Sequence, residues 1–119
     1  MKMKLKRAYE TPDASDGIRI LVDRVWPRGV TKEKLQIDHW LREVAPSSEL
    51  RKWFAHDPAK WDEFRRRYEE ELAQNSEPLG QIMEQLKHGP VTLVYGAKDE
   101  KHNQAVVLKD YLTRRQSRR

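Results

Sequence analysis

The chain has 119 residues, 37% hydrophobic and 36% charged, with a formal net charge of +5 and no cysteine. That length supports one domain around one compact core, and the missing cysteines exclude disulfides, thiolate catalysis and cysteine-held metals while suiting a reducing compartment. No stretch approaches the roughly 18 consecutive apolar residues of a membrane span, and the lysines of the N-terminus have no apolar segment behind them of the kind a secretory leader carries. A cytoplasmic protein with no membrane partner is therefore expected.

The charge is unevenly distributed. Lys2, Lys4, Lys6 and Arg7 lie in the first nine residues and Arg114, Arg115, Arg118 and Arg119 in the last eight, neither segment holding an acid. Without those eight, 16 basic residues face 19 acidic ones, so the middle of the chain is net acidic. Nucleic-acid-binding domains usually carry their excess on the folded surface. Solvated basic ends are one reading, and a weak, non-specific phosphate-binding arm is the other.

In chain order, Leu5 to Tyr9 suits a short strand, and Thr11 to Gly17 is turn chemistry. Arg19 to Val25 contains the consecutive apolar residues Ile20, Leu21 and Val22, the pattern of a strand buried on both faces. Pro27 and Gly29 end it. Thr31 can cap a short helix through Leu35. Ile37, Trp40, Leu41 and Val44 recur at i, i+3, i+4 and i+7, which predicts a helix over 37–44, with a short strand as the alternative. Ser47 or Ser48 caps a turn carrying Leu50, Trp53 and Phe54. Asp57 with Pro58 marks a helix start, and Trp61, Phe64, Tyr68 and Leu72 form the inner stripe of that helix. Asp62 with Arg66 and Glu63 with Arg67 are its i,i+4 ion pairs. Ser76 can cap the next helix, whose stripe is Leu79, Ile82, Met83 and Leu86, and Gly89-Pro90 stops it. Val91 to Tyr95 is a second buried strand. Asp99 can cap a last helix with Ala105, Leu108, Tyr111 and Leu112 inside, and residues 113–119 are expected to form a frayed basic tail. Helices between hydrophobic strands imply one α/β domain over 1–119, a short, mostly parallel sheet flanked by helices, Rossmann-like in plan.

Two segments carry polar groups just past predicted strands, where open α/β sheets place ligands. The first is Asp23-Arg24-Val-Trp26-Pro-Arg28. Guanidiniums match carboxylates and phosphates, and Trp26 can stack on a base or a cation; the plainer alternative is an Asp23–arginine ion pair with Trp26 in the core. The second runs from Tyr95 to Asn103. Gly96 permits close backbone approach, the start of a helix favours anions, and His102 can exchange protons near neutral pH; the plainer alternative makes Asp99 only a cap. The Gly-rich phosphate loop of nucleotide hydrolases is missing. His56 precedes the Asp57 cap and is incidental or joins Asp23, Asp99 and His102 in a mixed cluster. That cluster lacks the spacing of a zinc motif, so no metal ligand is assigned.

Leu21 to Gly29, Trp53-Phe-Ala-His-Asp-Pro58, Trp61-x-x-Phe64-x-x-x-Tyr68 and Tyr95 to Asn103 together resemble the short, YeaO-like branch of the bacterial DUF488 (domain of unknown function 488) family. The resemblance covers nearly the whole chain and implies a small cytoplasmic α/β protein without assigning an activity. Longer relatives carry a cysteine after the last strand and a Cys-His-Arg at the following helix. Tyr95 and Lys101-His102-Asn103 stand in those places here, so only His102 carries over. The family also implies an extended conformation near 37–43.

The expectation is a pocket for a small anionic or phosphorylated ligand between the two strand ends, with enzymatic activity left open and no cofactor identified. Asp23 and His102 would manage protons; Arg24, Trp26, Arg28, His56, Tyr95, Asp99 and Asn103 would bind or orient the ligand. The competing class is a nucleic-acid-binding or regulatory module without catalysis.

Overall fold

The computed structural model describes residues 2–117. Its four strands are β1 (Met3–Arg7), β2 (Ile18–Leu21), β3 (His39–Trp40) and β4 (Val91–Tyr95), arranged β1-β4-β2-β3 with every pair parallel. Leu93 of β4 sits between Leu5 and Ile20, so the last strand inserts between the first two. The helices are α1 (Lys32–Leu35), α2 (Ser48–Phe54), α3 (Trp61–Ala73), α4 (Ser76–His88) and α5 (Gln104–Ser117). The fold is α/β in one compact domain, and its sheet is wholly parallel. Among the described residues no helix is long and apolar enough to cross a membrane.

Strand alternation divides the side chains between two unequal cores. Met3, Ile20, Val22, Val91, Leu93 and Tyr95 pack with Phe54, Phe64, Tyr68, Leu72, Ile82 and Leu108 of helices α2 to α5. On the opposite face Leu21 and Val94 meet Leu35 and Ala8, with Trp26, Ile37 and Trp40 packed against them. Ile20, Leu21 and Val22 are all fully buried, as their uninterrupted apolar run predicts.

The rest of the smaller face is ionic. Lys4 and Lys6 of β1 and Arg19 of β2 converge on the buried Asp16 carboxylate at 2.9, 3.2 and 2.6 Å. Thr92 of β4 donates to the Asp16 carbonyl at 2.8 Å. Three parallel strands thereby share one buried acid. Gly17 makes the approach possible: its φ is +65°, and a Cβ there would lie 2.2 Å from the Pro90 carbonyl oxygen, where only glycine fits.

Several local expectations shift. The first strand runs from residue 3 to 7, and β2 ends at Leu21 rather than Val25. Residues 37–44 are not a helix: His39–Trp40 is a strand, followed by a 3₁₀ turn over Arg42–Val44. The helical-looking stripe is divided between the cores, Ile37 and Trp40 against the smaller, Leu41 and Val44 in the larger. Main-chain bonds from Asp38 to Arg19 and from Leu41 to Leu21, at 2.8 and 3.0 Å, hold the segment beside β2. Tertiary pairing outweighs the local pattern. Ser76 is the first residue of α4 rather than its cap. On α3, Glu63 pairs with Arg67 at 2.7 Å, but Arg66 turns to Glu63 and Glu70 instead of Asp62. The last helix continues to Ser117, beyond Leu112 where fraying was expected. Arg118 and Arg119 lie outside the described residues.

Candidate functional site

At the carboxyl ends of β2 and β4 the chain opens into a cleft of about 450 Å³. The segment after β2 forms one side through Asp23, Arg24, Val25, Trp26, Pro27 and Arg28; Gly96, Ala97, Asn103 and Gln104 after β4 form another. Arg51, Lys52 and Phe54 of α2, His56 beyond it, Phe64 of α3, Ala45, Pro46 and Tyr9 complete the lining. Placement follows from β2 and β4 being neighbours: parallel pairing brings their carboxyl ends to one edge.

Asp23 connects the two segments. Its Oδ2 accepts the Gly96 main-chain N–H at 2.8 Å, and its Oδ1 accepts the Gln104 side-chain amide. Its own carbonyl accepts the Trp40 indole N–H at 2.7 Å. Burial pushes the carboxyl up to about 6, against the opposing pull of the Gly96 and Gln104 hydrogen bonds and the charges of Arg51 and His56. A carboxyl raised this far at a cleft is a functional-site signature.

The cations differ in how they are held. Arg24 donates to the carbonyls of Pro46 and Ala45, both at 3.3 Å, fixing one wall. Arg28, Arg51 and Lys52 are exposed and, among the described residues, form no ion pair. By contrast Arg65, Arg66 and Arg67 on α3 all pair with carboxylates.

Trp26 reaches the cleft while its indole N–H is engaged by the Val30 carbonyl at 2.6 Å and its ring meets Trp40 edge-on. It builds the wall more than it offers a free stacking face. Ala55 and His56 are consecutive left-handed residues, with φ of +47° and +56°. Each non-glycine residue there costs about 1–2 kcal/mol, and such strain concentrates at functional sites. This turn places His56 on the cleft.

Three residues singled out from the sequence lie off the lining. Tyr95 is buried in the larger core. Asp99 accepts the main-chain N–H groups of Lys101 and His102, both at 2.9 Å, and pairs with His102 Nδ1 at 2.9 Å. The His102 ring lies edge-on to Trp61 of α3. Asp99 thus shapes the turn, and Asn103 caps α5 by accepting the Val106 N–H at 3.1 Å. The mixed cluster of Asp23, His56, Asp99 and His102 does not assemble, and among the described residues no three His, Asp or Glu side chains gather as a metal-holding group.

Arg51, Lys52, Gln104 and Tyr9 were not anticipated. Arg51 was legible in principle: it precedes Phe54 by three residues, so on a helix the two share a face.

A family model described as the inactive DUF488-N3 subclade matches residues 2–119. The chain belongs to the DUF488 family. Among curated relatives of this family, the uncharacterised protein YeaO of Escherichia coli (strain K12) is 44% identical over 112 residues, covering 94% of this chain and 97% of the relative. The uncharacterised protein Rv3073c of Mycobacterium tuberculosis (strain H37Rv) is 39% identical over 114 residues, covering 96% of each chain. No solved structure matches the chain, so the Rossmann-like plan expected from the sequence has no structural neighbour beside it.

Proposed function

We propose that this DUF488 protein binds a small anionic ligand, of which phosphorylated compounds such as nucleotides are the chemistry its cations fit best, in the cleft at the carboxyl ends of β2 and β4. The observation that carries the reading is the set of cations without partners. Arg28, Arg51 and Lys52 stand around one concavity with no carboxylate bound to them, while Arg65, Arg66 and Arg67 on α3 are all paired with carboxylates. Three cations around a concavity with a single acid, Asp23, repel one another in the empty protein, and an entering anion relieves that repulsion.

The cleft reads as a binding site before a catalytic one. Its lining contains no Ser, Thr or Cys, and its one hydroxyl, on Tyr9, donates to the Arg28 carbonyl. The matched subclade's description as inactive agrees with this. Asp23 is the group suited to exchange a proton with the ligand, while His102 is held in the Asp99 turn. The nucleic-acid alternative draws less support. Arg114 pairs with Glu69 and Asp110, Lys4 and Lys6 with Asp16, and Arg7 donates to the Ala97 carbonyl at 2.9 Å.

Calorimetric titration with inorganic phosphate and phenyl phosphate tests the proposal. Arg51→Gln and Arg28→Gln should each weaken binding about tenfold, the scale of a charge-assisted hydrogen bond, whereas Arg66→Gln on α3 should leave it unchanged. Equal affinities in all four proteins would refute the assignment.

A further inference from the structure

The cleft has a second character that an inorganic anion would not use. Tyr9 is 49% exposed and Val25 62% exposed, and they are the two large apolar side chains left exposed among the described residues. Both line this cleft, together with Pro27 and Phe54. Tyr9 is fixed there, its hydroxyl donating to the Arg28 carbonyl at 3.0 Å. Two separate segments thus turn their exposed apolar surface to the concavity that holds the cations, and covering apolar surface is favourable.

The third element is Asp23. It is the only acid on the lining, and each of its oxygens already accepts one hydrogen bond. A carboxylate offers about four acceptor positions, so two remain for a ligand. Beside a bound anion an unanswered carboxylate is repulsive; beside a donor it is a fixed acceptor.

Resting on the anion-binding reading above, we infer that the cleft selects a small organic anion in which an anionic group and an N–H or O–H donor are joined by an apolar body: the anion meets Arg28, Arg51 and Lys52, the body covers Val25 and Tyr9, and the donor meets Asp23. Inorganic phosphate and bare polyanions satisfy only the first of these.

A matched ligand series separates the elements: inorganic phosphate, phenyl phosphate, 3- and 4-hydroxyphenyl phosphate, and 4-methoxyphenyl phosphate, titrated calorimetrically. Wild type should bind phenyl phosphate at least tenfold more tightly than phosphate, and one hydroxyphenyl phosphate at least fivefold more tightly than phenyl phosphate; the methoxy compound should gain nothing. Val25→Ser with Tyr9→Ser should close the first gap. Asp23→Ala should close the second and Asp23→Asn should narrow it, with circular dichroism confirming that each variant is folded. If the aryl phosphates bind no better than phosphate while Arg51→Gln weakens them all, the inferred ligand class is wrong and the anion site stands. If the hydroxyl preference survives both Asp23 variants, the role of Asp23 is wrong. If no member of the series binds, both readings fall.

Discussion

The Asp23 carboxylate accepts the main-chain N–H of Gly96 at 2.8 Å, although 73 residues separate them. The bond ties the exit of β2 to the exit of β4, and the space around it is the cleft. Gly96 matters for its lack of a side chain: a Cβ there would lie 3.0 Å from Asp23 Oδ2, closer than ordinary van der Waals contact.

That carboxylate sets a pH dependence. Its folded-state value of about 6 lies above the ordinary value of about 3.9. The stability it contributes is therefore complete below the unfolded value and lost as pH rises through about 6, a change of about 1–3 kcal/mol. Asp23→Asn keeps an acceptor for Gly96, and Gln104 can turn its amide to match. The variant should match wild type in urea midpoint at pH 3.5 and exceed it at pH 8. Parallel behaviour of the two proteins across that range would contradict the burial argument.

Asp16 behaves in the opposite sense. Burial pushes its carboxyl up, but hydrogen bonds from Lys4, the Asp13 N–H, Lys6 and Arg19 outweigh this and hold it well below the usual range. Its contribution is present above the unfolded value near 4 and disappears as pH falls further. Removing one partner from a buried ionic cluster costs about 3–5 kcal/mol, so Asp16→Ala should lower stability by that amount at pH 7. Chemical denaturation measures it, and a cost below about 1 kcal/mol would show the cluster to be dispensable.

Gly17→Ala should cost about 2–4 kcal/mol, combining a left-handed backbone with overpacking against the Pro90 carbonyl. Gly29 also has a positive φ, +79°, but open space around it, so Gly29→Ala should cost about 1 kcal/mol. Comparing the two by thermal denaturation isolates the steric part.

The end of α5 should act as a structural element. Arg114 bridges to Glu69 of α3 and to Asp110 on its own helix. Truncation after Leu112 should lower the melting temperature by a few degrees, as expected for about 1 kcal/mol in a domain of this size. Retention on nucleic acid at moderate salt should be unchanged by the same truncation. An unaltered melting temperature with lost retention would instead favour the basic-arm reading.

Much of this protein was settled by residue order alone. Consecutive apolar residues at 20–22 and 93–95 marked the inner strands because both faces of a parallel strand are buried. Thr31 and Asp57 marked helix starts, and Ser47 or Ser48 a capped turn, because such oxygens accept the first free N–H groups; the structure makes Ser47 the cap and the turn a helix. Asp23, Arg24, Arg28 and Gly96 could be placed near one edge because polar residues past such strands share it. Only the tertiary structure decided the rest. Residues 37–44 became a strand and a turn because two cores compete for one stripe, and no local period encodes which core a side chain reaches. Asp99 and His102 turned to each other, and His102 to Trp61, while Arg51, Lys52 and Tyr9 entered the cleft from distant segments. The insertion of β4 between β1 and β2 is what joins these pieces, and strand order is a property of the packed sheet rather than of any stretch of chain.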